Sequence, residues 1–218
     1  MKKILLFILA IGLMIPLAAQ TNSKALNKAL KKEYQTKMKE LKKGGWQLFA
    51  SSRSLDVALL KHYQKLEDGG DNIQEIVSFA TAKSLNVGHS MAINNACNTY
   101  ATKAGSHVKG RVVSDMGGNA DETSAEFDKF YAAYESLVEK EIRGELKESF
   151  SVIRTDSKTG NSQIQSYFLI DENAATQARI RAYENAYKES AAAQKYANKV
   201  SDFIKEGFKV DQNSEENK

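Results

Sequence analysis

Two short patterns in this 218-residue chain have the form of a serine acyl-transfer centre. Ser106-His107-Val108-Lys109 matches S-x-x-K, and Lys158-Thr159-Gly160 matches K-T-G, in the order that penicillin-binding enzymes carry them. That chemistry asks a lysine amine to take the proton of a serine that opens a helix, and a third element to close the pocket. No Ser-x-Asn or Tyr-x-Asn tripeptide lies between Lys109 and Lys158. Ser106 also follows a predicted helix and leads into a predicted strand, while Lys158-Thr159-Gly160 falls in a predicted hairpin turn. Without their structural context the two matches carry no acyl transfer.

The remaining chemistry-bearing residues are sparse. His62, His89 and His107 lack the i, i+4 spacing of a helical zinc site, and a single cysteine builds no structural one. His62 is expected on the exposed side of a helix beside Lys61, and His89 near a helix start. Cys97 follows Ala96 inside a predicted helix and is expected to be a small buried side chain with no activating neighbour in the local sequence. The Gly-Gly pairs at 44–45, 69–70 and 117–118 lack phosphate-loop spacing and read as loop punctuation. Phe127, Phe130, Tyr131 and Tyr134 fall at helical spacing and are expected in a core. No catalytic, cofactor-binding or metal-binding residue is therefore assigned.

The elements that position these groups follow from periodicity and punctuation. Lys24–Lys43 reads as a helix, with Leu26, Leu30, Tyr34, Met38 and Leu41 on one side and Lys28, Lys31, Lys32, Lys37, Lys39, Lys42 and Lys43 making it basic. That basic face reads as solvated, with anionic lipid or glycan as the alternative contact. Gly44-Gly45 ends the helix and Trp46–Phe49 is a short strand. Ser54 caps a second helix through Leu66, with Leu55, Leu59, Tyr63 and Leu66 inward, and Asp68–Asn72 is a loop. Glu75–Ala82 alternates as a strand.

A third helix is predicted over Val87–Ala104, with Met91, Ala92, Ala96, Tyr100 and Ala104 inward and Gly105 as its C-cap. His107–Val113 then reads as a strand and Met116–Glu122 as a loop. A fourth helix spans Ser124–Gly144. Phe150–Thr155 and Gln163–Ile170 flank Asp156–Asn161 as a hairpin. An alanine-rich helix runs from Asn173 to Phe208, and Gln212–Lys218 reads as a disordered tail. Interleaved helices and strands with one evident antiparallel pair predict an α+β fold: a small, mainly antiparallel sheet covered by helices, with a long C-terminal helix. The first and last helices are expected to lie outside that unit.

Glu75–Val113, with its alanines and the run His107-Val108-Lys109, resembles the strand, alanine-rich helix and strand that open the LPP20-type lipoprotein domain. Ser149–Asp171 followed by Ala174-Ala175-Thr176-Gln177-Ala178-Arg179 resembles that domain's later hairpin and closing helix. The likeness covers roughly residues 73–192. It implies a small α+β module of the bacterial envelope without an assigned catalytic residue. The chain departs from that pattern by lacking the acylated cysteine, since Gln20 stands where the lipoproteins carry it.

Address and composition complete the reading. Lys2-Lys3, the apolar run Ile4–Leu17 and Ala18-Ala19 have the layout of a secretory signal peptide cleaved after Ala19. The run is shorter than the roughly 20 residues a spanning helix needs. The expected organisation is a leader at 1–19, a helical segment at 20–72, the α+β domain with its C-terminal helix at 73–208 and a tail at 209–218. Loss of Lys2 and Lys3 lowers the formal charge from +4 to +2, 29 Lys and Arg against 27 Asp and Glu. So small an excess argues against nucleic-acid binding. The mature chain, with no internal disulfide and no lipid or transmembrane anchor, is expected in the periplasm or outside the cell. It is expected to act without a cofactor as a non-enzymatic envelope module. Its contacts would be with an envelope protein or a second copy of itself, and the alternative is a binding module for a small or glycan-like ligand.

Overall fold

The computed structural model describes residues 16–116 and 124–188, with residues 194, 201–202 and 204–205 beyond them. The order of elements is α1 (Pro16–Lys43), β1 (Gln47–Leu48), α2 (Leu55–Gly69), a 3-10 turn (Gly70–Asn72), β2 (Ile73–Ala82), α3 (Leu85–Met116), α4 (Ser124–Ile142), β3 (Lys147–Thr155), β4 (Ser162–Asp171) and α5 (Glu172–Tyr187). This is an α+β fold: four strands form one antiparallel sheet in the order β1-β3-β4-β2, with helices packed against it. Of the predicted C-terminal helix, Glu172–Tyr187 is the described part. Of the predicted leader at 1–19, residues 16–19 are described as the start of α1, while residues 1–15, 117–123 and the predicted tail lie outside the described residues.

Local chemistry fixes the connections. Asp156 Oδ1 accepts the backbone N–H groups of Lys158 and Thr159 at 2.8 and 3.1 Å, and Gly160 takes φ +69°, so the β3–β4 hairpin closes where the sequence places it. Ser54 accepts from Val57 N to start α2, and Asp171 accepts from Ala174 N to start α5.

Period-two alternation sorts the sheet into two faces. Ile76, Phe168 and Ile170 look toward α3, α4 and α5, where Ala96, Tyr100, Ala104, Tyr134, Val138, Ala178 and Ala182 complete the larger core. Val152, Phe150 and Tyr167 look the other way, onto Met38 and Leu41 of α1 and Leu59 of α2. Each such buried aliphatic or aromatic side chain contributes roughly 1.5–3 kcal/mol. The first and last helices are therefore parts of the core, not additions outside it. Arg154 reinforces the N-terminal connection by stacking its guanidinium 4.6 Å from the Trp46 ring centre.

Four further expectations are corrected. His107–Val113 is not a strand: α3 continues to Met116, and Gly105 lies inside it. The stripe Ala92, Ala96, Tyr100, Ala104 simply goes on to Val108, which is 1% exposed under α4. Gly105 serves the packing instead of a cap, because a Cβ there would lie 3.1 Å from Glu135 Oε2 of α4. Met91 is exposed rather than inward. Asp68–Asn72 is not an open loop, since α2 reaches Gly69 and a 3-10 turn completes the segment.

A candidate anion-binding cleft at the β1–β3 end of the sheet

The structure disperses the acyl-transfer patterns. Ser106 and Lys109 sit within α3, and Lys109 Nζ lies 3.0 Å from Asp128 Oδ1 of α4. Lys158-Thr159-Gly160 is occupied in closing the hairpin turn. Cys97 is fully buried, and burial pushes its thiol above the ordinary range. Of the predicted aromatic face, Phe130, Tyr131 and Tyr134 are in the core, while the Phe127 side chain lies outside the described residues. Among the described residues, no three His, Cys, Asp or Glu side chains gather as a metal-ion set, and no helix is long and apolar enough to cross a membrane.

His62 corrects its expected exposure. Its side chain is 1% exposed, ringed edge-on by Tyr63, Phe150 and Tyr167, with Nε2 2.6 Å from Glu75 Oε1 on β2. The inward stripe of α2 is Leu55, Leu59, His62 and Leu66, so the imidazole falls at the seventh step of the helical pattern. The neighbouring Lys61 hid that phase.

His89 stands one turn into α3, as expected, and belongs to a constellation that the sequence alone does not reveal. Its Nε2 is 2.8 Å from Glu148 Oε2. Ser151 Oγ donates to the other carboxylate oxygen of Glu148 at 2.5 Å, and lies 2.7 Å from Ser166 Oγ. A hydroxyl has one proton. The carboxylate takes that of Ser151, so Ser166 donates in turn to Ser151. Residues three apart on a regular strand face opposite sides. A bulge between Glu148 and Phe150 inserts one residue and brings Glu148 and Ser151 to the same side.

His89, Glu148 and Ser151 line a cleft of about 450 Å³ beside β1, to which α2 contributes Ala58, Lys61 and Lys65. Phe49 tilts against His89 with ring centres 5.2 Å apart. Arg53, Lys61 and Lys65 supply three cations to the walls against the single carboxylate of Glu148. Ala50, also in the wall, holds φ +49°, a left-handed conformation that is costly for a residue with a Cβ.

The order of groups determines what the cleft can do. In nucleophilic catalysis an imidazole touches the serine and the carboxylate stands behind the imidazole. Here the carboxylate stands between Ser151 and His89, and Ser151 is 1% exposed. Both Glu148 oxygens are engaged by protein groups, while Arg53, Lys61 and Lys65 line the same cleft. The arrangement suits binding of an anion with a modest apolar part, for which Leu48, Phe49 and Ala58 are available.

No protein-family model, curated protein or solved structure matches this chain. The reading of the cleft therefore rests on its own chemistry. Arg53, Lys61, Lys65 and Glu148 were missed in the sequence because they come from the loop before α2, from α2 and from β3. Only the fold brings them together, and no spacing announces it.

Proposed function

We propose that this chain is an exported, non-enzymatic module of the cell envelope whose cleft binds a small anionic ligand, such as an acidic sugar. The observation that carries the proposal is the Ser151–Glu148–His89 order. It occupies both oxygens of the one carboxylate in a cleft otherwise lined by the cations Arg53, Lys61 and Lys65. The leader at residues 1–19 supports export. The resemblance to the LPP20-type domain supports an envelope role through its order of hairpin and closing helix, although residues 107–113, read there as a strand, lie within α3.

The test is thermal denaturation in the presence of glucuronate or inorganic phosphate. A ligand at one hundred times its Kd stabilises by about 2.7 kcal/mol, roughly 5–10 °C for a chain of this size. The shift is expected to vanish in the Lys61→Glu/Lys65→Glu variant. No shift with either compound, or an equal shift in the charge-reversed variant, rejects the proposal.

A second reading, that the chain works through protein contacts, is favoured by a separate observation. Large apolar side chains stand exposed on β2 and on the first turns of α3: Phe79 at 61%, Val87 at 53% and Met91 at 41%.

A further inference from the structure

Among the described residues, no strand pairs with the outer side of β2, which is ten residues long. The direction of its backbone groups follows from the ladder. Phe49 N donates to Ser151 O, so Ser151 points away from β4. Alternation then turns its partner Ser166 toward β2, and Ser78 toward β4. Glu75, Val77, Phe79 and Thr81 therefore aim their N–H and C=O groups outward. Asn95 Nδ2 of α3 donates to Phe79 O at 2.7 Å, in agreement with that phase, and leaves the second lone pair of the oxygen for a partner strand.

Natural edge strands are guarded by lysines, prolines, bulges or inward charges. β2 has no lysine and no proline, and its one charge, Glu75, is held at its inner oxygen by His62. Beside the edge, Val87 and Met91 stand on α3 two turns and one turn before Asn95, both exposed.

We infer that β2 pairs antiparallel with β2 of a second copy of this chain, about a two-fold axis at Phe79, extending the sheet across two subunits. The inference rests on the protein-contact reading and makes its partner specific. Charge selects the register. With Phe79 opposite Phe79, outward residues face outward residues: Val77 meets Thr81, and Glu75 meets Lys83, the exposed residue just past the strand. Centring on Val77 sets Glu75 against Phe79, and centring on Thr81 sets Lys83 against Phe79. Only the Phe79 register pairs the two charges of the segment 73–83 with each other. It also places the two exposed Phe79 rings side by side on one face and encloses Val87 and Met91 near the junction on the other. A two-fold contact of one patch with itself closes at the dimer, so the edge is consumed and no fibre grows.

The experiment is light scattering and sedimentation of the purified protein beside two variants, each checked by circular dichroism for an unchanged fold. The wild type is expected at twice the chain mass. Phe79→Lys and Lys83→Glu are expected at the single-chain mass. In a Cys97→Ala background, Phe79→Cys is expected to form a disulfide-linked dimer under mild oxidation. Thr81→Cys is expected not to, because that position faces Val77. A wild type that stays monomeric at every concentration overturns the inference. So does a dimer that survives Phe79→Lys and leaves Phe79→Cys unlinked. The wider contact reading is separable: a photo-crosslinker at Phe79 in cells that joins only another protein keeps that reading while rejecting self-pairing, and one that joins nothing rejects both.

Discussion

Arg179 Nη2 lies 2.6 Å from Glu172 Oε1, with both side chains in the core at 2% and 9% exposure. Gln74 of β2 fills the other oxygen of Glu172 at 2.8 Å, while Thr176 and Tyr100 engage the guanidinium. The pair thus clamps α5 to α3 and to the end of β2. Removing one member leaves the other charge buried without its partner, and Arg179→Met is expected to destabilise by about 3–5 kcal/mol. The Arg179→Met/Glu172→Met double variant is expected to lose far less than the two single losses combined, because both charges leave together. Urea denaturation of the four proteins measures this. A single-variant loss under about 1 kcal/mol is inconsistent with a desolvated pair.

Acid should act on the hairpin. The Lys158 and Thr159 N–H groups hold the Asp156 carboxyl below its ordinary range. A lowered folded-state value means that the unfolded chain binds the proton more readily. The contribution of Asp156 is therefore fully present above the ordinary aspartate range and is lost as pH falls through the folded-state value. Asp156→Asn keeps an oxygen for both N–H groups but has no proton to take up. Its denaturation midpoint is expected to fall less steeply than the wild type's on acidification. Parallel slopes in the two proteins would show that Asp156 carries no such linkage.

Cys97 should be silent in the native state. It has no exposed surface, and burial raises its thiol above the ordinary range, so little thiolate is present at neutral pH. A chromogenic disulfide reagent is expected to modify it only at the rate of unfolding, and quickly in denaturant. Immediate stoichiometric reaction of the folded protein would contradict the burial.

Gly88 lets α3 approach β4 closely. A Cβ added there would stand 2.3 Å from Ile164 Cδ1, and Ile164 is itself fully buried. Gly88→Ala gains up to about 1 kcal/mol of helix propensity, but overpacking costs about 1–3 kcal/mol. A net loss of roughly 1 kcal/mol is expected on that balance. Ile164→Val removes the offending atom, so Gly88→Ala/Ile164→Val should be more stable than Gly88→Ala alone in thermal denaturation.

What was legible in the sequence is what local chemistry decides. The β3–β4 hairpin follows from Asp156 and Gly160, the start of α2 from Ser54, and the alternation of β2 from its own residues. The reach of α3 was not legible, because Gly105 and the valines 108, 112 and 113 imitate a helix end and a strand. Contact with α4, which no local pattern encodes, keeps Val108 on the helical stripe. His62 was misplaced for a related reason: a polar side chain enters a core when a distant acceptor, here Glu75, awaits it. The cleft was least legible of all, since a bulge one residue long decides that Glu148 and Ser151 share a side.

The strand order β1-β3-β4-β2 also constrains when the sheet can form. Both outer strands come from the first half of the chain and both inner ones from the second, with Ile73 pairing to Asp171 and Ala82 to Ser162. A chain emerging from its N-terminus presents β1 and β2 with nothing to pair to until the hairpin arrives. The hairpin is the local nucleus, and the β2 pairing must then close a long loop across α3 and α4. A chain ending before Ser162 is expected to show helix but no strand signal in circular dichroism. On this topology the sheet is expected to close only after β4 has been made, when most of the chain already exists.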